Sequence, residues 1–383
     1  MKRIPVTLLT GFLGAGKTTL LNKLIQEPDL AKALVIINEF GSVGLDHDLI
    51  ARSNEDDTIV EMSSGCLCCT IKGDLQKTLK DAPWRFSRGG ERWFDRVIIE
   101  TTGLADPAPI IHTVMADGDL IETYALAEVI TLVDGVNGDA TLDAQPEALK
   151  QAAVADTLLL SKADIADPGA VAALKKRLRS INPAARIVSV ADQANNLMGL
   201  FDGAAFNPEL KGEDVLKWLQ EEAYSDGHHH HDHDHHDHGH HHDDNDHSHG
   251  HDHHGHHHDI NRHDDRISSV CITIDEPLAP EIFDEWFGLL TTLKGVNMLR
   301  VKGLINLAGM GTPLVVHGVQ HIWHPPALLP EWPSDDRRSR IVFIIRDIET
   351  SDLQDMLDFV KQRYESAHQD RALGEGPQGL LAS

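Results

Sequence analysis

The chain opens on an apolar, β-branched run at Pro5–Thr10, and similar short runs recur at Ala33–Asn38, Thr58–Met62, Arg96–Glu100, Glu128–Asp134, Thr157–Ser161 and Arg186–Val190. Runs this short and this continuously apolar read as strands covered on both faces. Between them, Lys17–Gln26, Pro107–Ala116, Gln145–Ala153 and Gly169–Ile181 carry helical spacing. The alternation predicts a doubly wound α/β domain with a mostly parallel sheet over residues 1–210, where ligands bind beyond the carboxyl ends of the strands.

That patterning then stops. Residues 211–265 hold a helix end followed by almost pure His, Asp and Gly. Such a stretch has no apolar surface to offset the entropy of ordering, which predicts a disordered linker. Beyond it, Ile267–Ile274, Asn297–Leu307, Pro313–Trp323 and Arg340–Ile345 are strand-like, while Pro280–Leu293 and Ser351–Tyr364 have helical spacing. A smaller α+β domain is predicted over residues 266–367, its strands backed by two helices on one face, with a polar tail at 368–383.

Composition sharpens this picture. Of 383 residues, 41% are hydrophobic and 25% charged, and no run reaches the ~18 apolar residues of a membrane span. Met1-Lys2-Arg3-Ile4-Pro5 leads into a strand and glycines rather than a secretory signal, so a cytoplasmic location is the expectation. The net charge of −26, from 34 basic and 60 acidic residues, argues against nucleic acid and membrane as partners. Twenty of the 26 histidines lie between His228 and His263 among eight aspartates and one arginine, giving that tract −7 and the rest of the chain −19. Such a tract reads as a high-capacity metal binder, imidazoles accepting Zn²⁺, Ni²⁺, Co²⁺ or Cu²⁺, or alternatively as a solvated spacer. With four cysteines, three of them clustered at Cys66, Cys68 and Cys69, metal or redox chemistry is favoured over disulfides. Cys271 reads as a buried apolar residue, and His112, His317, His321 and His324 as satisfied core or surface histidines ahead of a second metal site.

Gly11-Phe12-Leu13-Gly14-Ala15-Gly16-Lys17-Thr18 satisfies G-x-x-x-x-G-K-[ST] between a strand and a helix. Glycines let backbone N–H groups curl round phosphate oxygens, Lys17 adds a point charge, and Thr18 can ligate Mg²⁺; Gly11, Gly14, Ala15, Gly16, Lys17, Thr18 and Thr19 are candidate nucleotide contacts. Arg96–Glu100 then reads as a second phosphate-site strand. Glu100 can reach Mg²⁺ through water or position the attacking water, which makes it a catalytic candidate beside Lys17, and Gly103 offers an amide to the terminal phosphate. Ser161-Lys162-Ala163-Asp164 looks like the guanine motif [NT]-K-x-D with serine for asparagine, its Asp164 able to accept from N1–H and the exocyclic amine of guanine. GTP is thereby favoured over ATP.

Ser64-Gly65-Cys66-Leu67-Cys68-Cys69 follows the third strand, at the same edge as the phosphate loop. In an extended chain Cys66 and Cys68 share a face, and a turn at Gly65 can bring Cys69 round to give three thiolates suited to Zn²⁺ or Co²⁺. The fourth position is left to Glu39, water or a partner residue, an incomplete site of the kind that lets a metal be handed on. A buried cysteine cluster or a redox pair are the other readings. Glu39, in Asn38-Glu39-Phe40-Gly41, sits where nucleotide switches place a mobile loop.

Together, Gly11–Thr19, Asn38–Gly41, Gly65–Cys69, Glu100–Pro107 and Ser161–Asp164 resemble the CobW-type GTPases of the SIMIBI class. Leu299-Arg300-Val301-Lys302-Gly303 and Val315–Trp323 are similar to that family's C-terminal domain. In its zinc-chaperone branch, the resemblance implies a Cys-x-Cys-Cys site at Cys66, Cys68 and Cys69 that delivers zinc to a client metalloenzyme as GTP is hydrolysed with Mg²⁺. Another branch serves cobalt in cobalamin synthesis. A third expectation, of a different kind, is a passive metal buffer built on the histidine tract with a vestigial nucleotide site, and a P-loop kinase is a fourth. The client and the oligomeric state are left open.

Overall fold

The computed structural model describes residues 3–40, 59–64, 69–192 and 266–374. The histidine tract and the predicted linker lie outside the described residues, as do Cys66 and Cys68. Seven strands form the first sheet: β1 (Ile4–Gly11), β2 (Ala33–Phe40), β3 (Ile59–Ser64), β6 (Arg96–Thr101), β7 (Tyr124–Asp134), β8 (Thr157–Ser161) and β9 (Arg186–Ser189). They run in the order β3-β2-β6-β1-β7-β8-β9, and every pairing is parallel. The order reverses at β1, the switch point where such sheets place ligands.

Helices α1 (Lys17–Leu24), α2 (Cys69–Arg85), α3 (Ala108–Ala116), α6 (Pro146–Val154) and α7 (Pro168–Ile181) accompany these strands, with two short helices, α4 (Leu120–Thr123) and α5 (Gly138–Ala144). Sequence patterning does not reveal α2, and Pro83 inside it is the reason. A proline gives no N–H to the carbonyl four residues earlier. Here the orphaned Leu79 carbonyl accepts the buried Tyr124 hydroxyl at 2.8 Å, so the helix continues past its breaker. A two-residue hairpin, β4 (Ser87–Arg88) with β5 (Glu91–Arg92), follows α2. β7 begins at Tyr124, four residues ahead of its apolar run.

The second domain is a mainly antiparallel sheet in the order β10-β15-β11-β12-β13, from β10 (Ile267–Ile274), β11 (Met298–Ile305), β12 (Leu314–Val319), β13 (Ile322–Trp323) and β15 (Ser339–Arg346), with β14 (Ala327–Leu328) paired to β12. The segment read as one strand, Pro313–Trp323, is a hairpin, broken at Gln320 with φ +55°. Helices α8 (Pro280–Lys294) and α9 (Thr350–Gly374) pack on one face round the fully buried Trp286, with Leu290, Phe343 and Leu357.

The other face of this sheet meets the first domain. All eight residues of β11 are buried, which requires cover on both sides. Leu299, Val319, Ile344 and Ile267 join the apolar cluster that holds α3, α6 and α7. Leu299 is an extra residue in the β11–β15 ladder, a bulge that re-aims side chains. It stands next to Arg300, which pairs with Asp156 at the end of α6, while Lys302 reaches the same carboxylate at 2.8 Å. Asp156 is almost fully buried and its other oxygen accepts the Val129 amide at 3.0 Å. Burial alone would raise this carboxyl, but the two cations hold it below its ordinary value. Beside it, buried Asn182 donates to the carbonyls of Ala152, Ala153 and Ala155, capping α6.

Candidate nucleotide site and metal motif

The phosphate loop is shaped by where its glycines let the chain turn. Gly16 precedes α1 with φ +94°, a left-handed conformation, and no side chain caps the helix start. The first N–H groups of α1 therefore face the loop without a side-chain acceptor. Gly14, at φ +76°, is exposed, Ala15 is buried, and Thr19 is exposed on α1. Lys17 is buried, and its ammonium donates to the carbonyls of Gly11 at 2.9 Å and Phe12 at 3.3 Å.

The neighbouring strand β6 supplies the acid. Leu9 of β1 is in register with Glu100, so the carboxylate comes to the phosphate-loop edge, where Oε1 accepts the Thr18 hydroxyl at 3.2 Å. Glu100 is buried. A hydroxyl and a carboxylate brought together at a phosphate loop fit a hydrated divalent cation. Below them the buried Thr101 hydroxyl donates to that of Thr10 at 2.8 Å, fastening β6 to β1. Gly103 follows. A Cβ there would lie 2.5 Å from the Leu13 nitrogen and 2.8 Å from its Cα, so only glycine lets this loop touch the phosphate loop.

On the opposite flank Ser161-Lys162-Ala163-Asp164 leaves the end of β8. Lys162 has φ +54°, uncommon for a residue with a side chain. The turn lays its ammonium on the Gly14 carbonyl at 2.9 Å and on Asp134 at 2.7 Å. Burial opposes ionisation of Asp134, yet the lysine and the Val136 and Asn137 amides hold its carboxyl below the usual range. Ser161 is buried and its hydroxyl donates to Val133, while Asp164 is exposed at the rim. The predicted nucleotide residues thus come together from β1, α1, β6 and β8.

The metal motif is only bracketed. Cys66 and Cys68 lie outside the described residues; Cys69 is the first residue of α2. Glu39 is a β2 residue opposite Ser63 of β3, so its backbone neighbours the strand that runs into Cys66. Three strand spacings separate β3 from β1, about 14 Å. Among the described residues no group of three or more His, Cys, Asp or Glu is placed to hold a metal. His317 and His324 are buried, and burial, with Lys302 and Arg300 nearby in the first case, pushes both imidazoles down. His112 of α3 bonds the Val319 carbonyl at 3.0 Å and meets His321 edge-on at 4.8 Å. Cys271 is half-buried. α2, which starts at Cys69, packs along α3, which starts beyond Gly103, with Lys80 bridging to Asp119 at 2.6 Å. Sequence reading gave α3 and missed α2, which Pro83 hid.

Comparison with known proteins agrees with these features. Residues 5–189 match the CobW/HypB/UreG nucleotide-binding domain, and residues 267–360 the cobalamin synthesis protein cobW C-terminal domain. The chain is 32% identical over 345 residues to the zinc chaperone YjiA of Escherichia coli, covering 90% of this chain and 94% of that one. It is 32% identical over 221 residues to zinc-regulated GTPase metalloprotein activator 1 of Schizosaccharomyces pombe, spanning about half of each, 56% and 52%. The crystal structure of the Zn(II)-bound YjiA GTPase from E. coli superposes with a TM-score of 0.63 at 26% identity, covering 94% of this chain and 99% of that one. No helix among the described residues is long and apolar enough to cross a membrane. The two matched domains and the near full-length relative place this chain in the CobW family of P-loop GTPases.

Proposed function

We propose that this chain is a GTP-dependent zinc metallochaperone, which loads zinc at Cys66, Cys68 and Cys69 and passes it to a client metalloenzyme as GTP is hydrolysed. The observation that carries the reading is the shared sheet edge: β1 ends in the phosphate loop, β6 in Glu100, and β3 runs towards Cys66. Gly11, Gly14, Ala15, Gly16, Lys17, Thr18 and Thr19 hold the phosphates, Lys17 neutralising charge that builds up during transfer. Thr18 and Glu100 hold Mg²⁺, which supplies further neutralisation of the phosphates. Glu100 also orients the attacking water, Gly103 meets the terminal phosphate, and Ser161, Lys162 and Asp164 receive guanine.

Zinc is the cargo, supported over cobalt by the relatives' zinc chaperone and zinc-regulated names. Glu39 is the candidate fourth ligand. Nucleotide state reaches the thiolates along the α2–α3 pair and through β2, whose end carries Glu39. Linkage makes the coupling reciprocal, commonly ~1–3 kcal/mol.

The test is a Zn²⁺ titration of protein lacking residues 227–263, in GTP and in GDP. A difference of about 5–150-fold in affinity is expected, lost when Cys66→Ala and Cys68→Ala are combined. Equal affinities in both nucleotides would end the coupling. If removing the tract instead abolishes all metal binding, the protein is a passive buffer.

A further inference from the structure

The loop between β6 and α3 is gripped from behind by one helix. Gln151 of α6 is fully buried, an uncommon place for an amide side chain. Its Nε2 donates to the carbonyls of Gly103 at 3.1 Å and Ala105 at 3.0 Å, and its Oε1 is buried without a hydrogen-bond partner among the described residues. Its own carbonyl accepts the buried Thr131 hydroxyl at 2.7 Å, fixing α6 to β7. One residue earlier, Lys150 reaches Asp106 at 3.3 Å, and the other Asp106 oxygen accepts the Ala108 amide at 3.0 Å at the start of α3. Consecutive α6 residues therefore hold the loop at three points.

The loop is pressed between this grip and the phosphate loop, because Gly103 has no space for a Cβ on its Leu13 side. In a trans peptide, carbonyl and following N–H point in opposite directions. Tying the Gly103 and Ala105 carbonyls to Gln151 turns the Leu104 and Asp106 amides away from α6. A cavity of ≈ 160 Å³ lies between α6 and the phosphate loop, lined by Gln151, Phe12, Thr131, Asp134 and Lys162 among others.

We infer that Gln151 is a positioning residue for nucleotide hydrolysis: its side-chain amide sets the peptide planes of the Gly103 loop, so that this loop meets the terminal phosphate in a reactive geometry. The inference rests on the reading of Gly103 as the terminal-phosphate contact. Gln151 acts through that loop. Its loss should leave binding of the diphosphate alone and slow the reaction of the triphosphate.

Phosphate release by the full-length protein tests this with Gln151→Glu, which keeps the shape and removes both donors, and Gln151→Leu, which removes all hydrogen bonding. The expected result is a kcat lower by about tenfold or more, with KM for GTP and affinity for GDP within about twofold of wild type, in a folded protein that melts lower because two buried carbonyls lose their donor. Native kcat in either folded variant, or GTP and GDP affinities falling in parallel, would overturn the inference. If neither variant folds, Lys150→Ala releases the same loop from its half-buried side, and there a kcat lower by about twofold to threefold is expected; an unchanged kcat would overturn it. Gly103→Ala separates the two ideas. Slow hydrolysis there with normal Gln151 variants sinks only the role of Gln151, whereas normal hydrolysis in Gly103→Ala sinks the reading of the loop itself.

Discussion

The phosphate-loop edge and the interface between the two sheets both gather charge, but by opposite means. At the edge, Lys17 and Lys162 come from short motifs and rest on backbone carbonyls of residues close to them in the motif or across one strand. At the interface, Asp156 meets Arg300, 144 residues away, and Lys302, with all three nearly excluded from water. The edge is built from backbone turns that leave room for a ligand. In the interface, buried side chains of opposite charge close directly on one another. A site that must exchange its occupant uses the first plan, and a joint that must not open uses the second.

This contrast predicts unlike responses to mutation. The largest effect is expected from Asp156→Ala, which strands two buried cations and should cost about 3–5 kcal/mol, measured by denaturant unfolding; a loss below about 1 kcal/mol would mean the joint is open in solution. Lys17→Ala should do the reverse, cutting GTP hydrolysis about 10²–10³-fold with unfolding barely changed. A matching loss of stability there would erase the contrast.

A pH experiment sharpens the interface side. Burial pushes Glu128 up to about 7, with the Thr157 hydroxyl opposing at 2.6 Å and Asp156 reinforcing. Because the folded state favours the protonated form, its stabilising contribution is full below about 4.5 and is lost as pH rises through about 7. His317 runs the other way: burial lowers its imidazole, so its contribution is present above about 6.5 and falls on acidification. Glu128→Gln should therefore stabilise the protein by about 2 kcal/mol at pH 8 and little at pH 4.5, followed by melting across pH. An equal gain at both pH values would show that charge is not the cause. The smallest effect belongs to Tyr124→Phe, which leaves the Leu79 carbonyl beside Pro83 unsatisfied. About 1 kcal/mol is expected, and replacing Pro83 by Ala in the same protein should recover most of it.

The legible part of this protein follows the same divide. The central strands of the parallel sheet announce themselves because burial on both faces demands a continuous apolar run, as in Thr157–Ser161, where all five residues are buried. The phosphate loop is legible because its chemistry needs particular residues at consecutive positions. α2 was hidden because Pro83 argues locally against a helix, and a tyrosine from β7 answers that objection only in three dimensions. The hairpin turn at Gln320 has no glycine to mark it, so Pro313–Trp323 reads as a single strand. Gln151 was invisible for a related reason. Nothing in its neighbours along the chain says that two carbonyls some 46–48 residues earlier will face it.

Sequence alone settled the class of sheet, the phosphate loop and the proximity of three cysteines to one another along the chain. These are properties of contiguous residues, set by local sterics and by what a backbone turn or a thiolate can do. Tertiary structure decided which carboxylate meets Thr18, that Arg300 and Lys302 close on Asp156, and that α6 holds the Gly103 loop. Those choices depend on strand order and register, which emerge from packing summed over the whole chain rather than from any one segment of it.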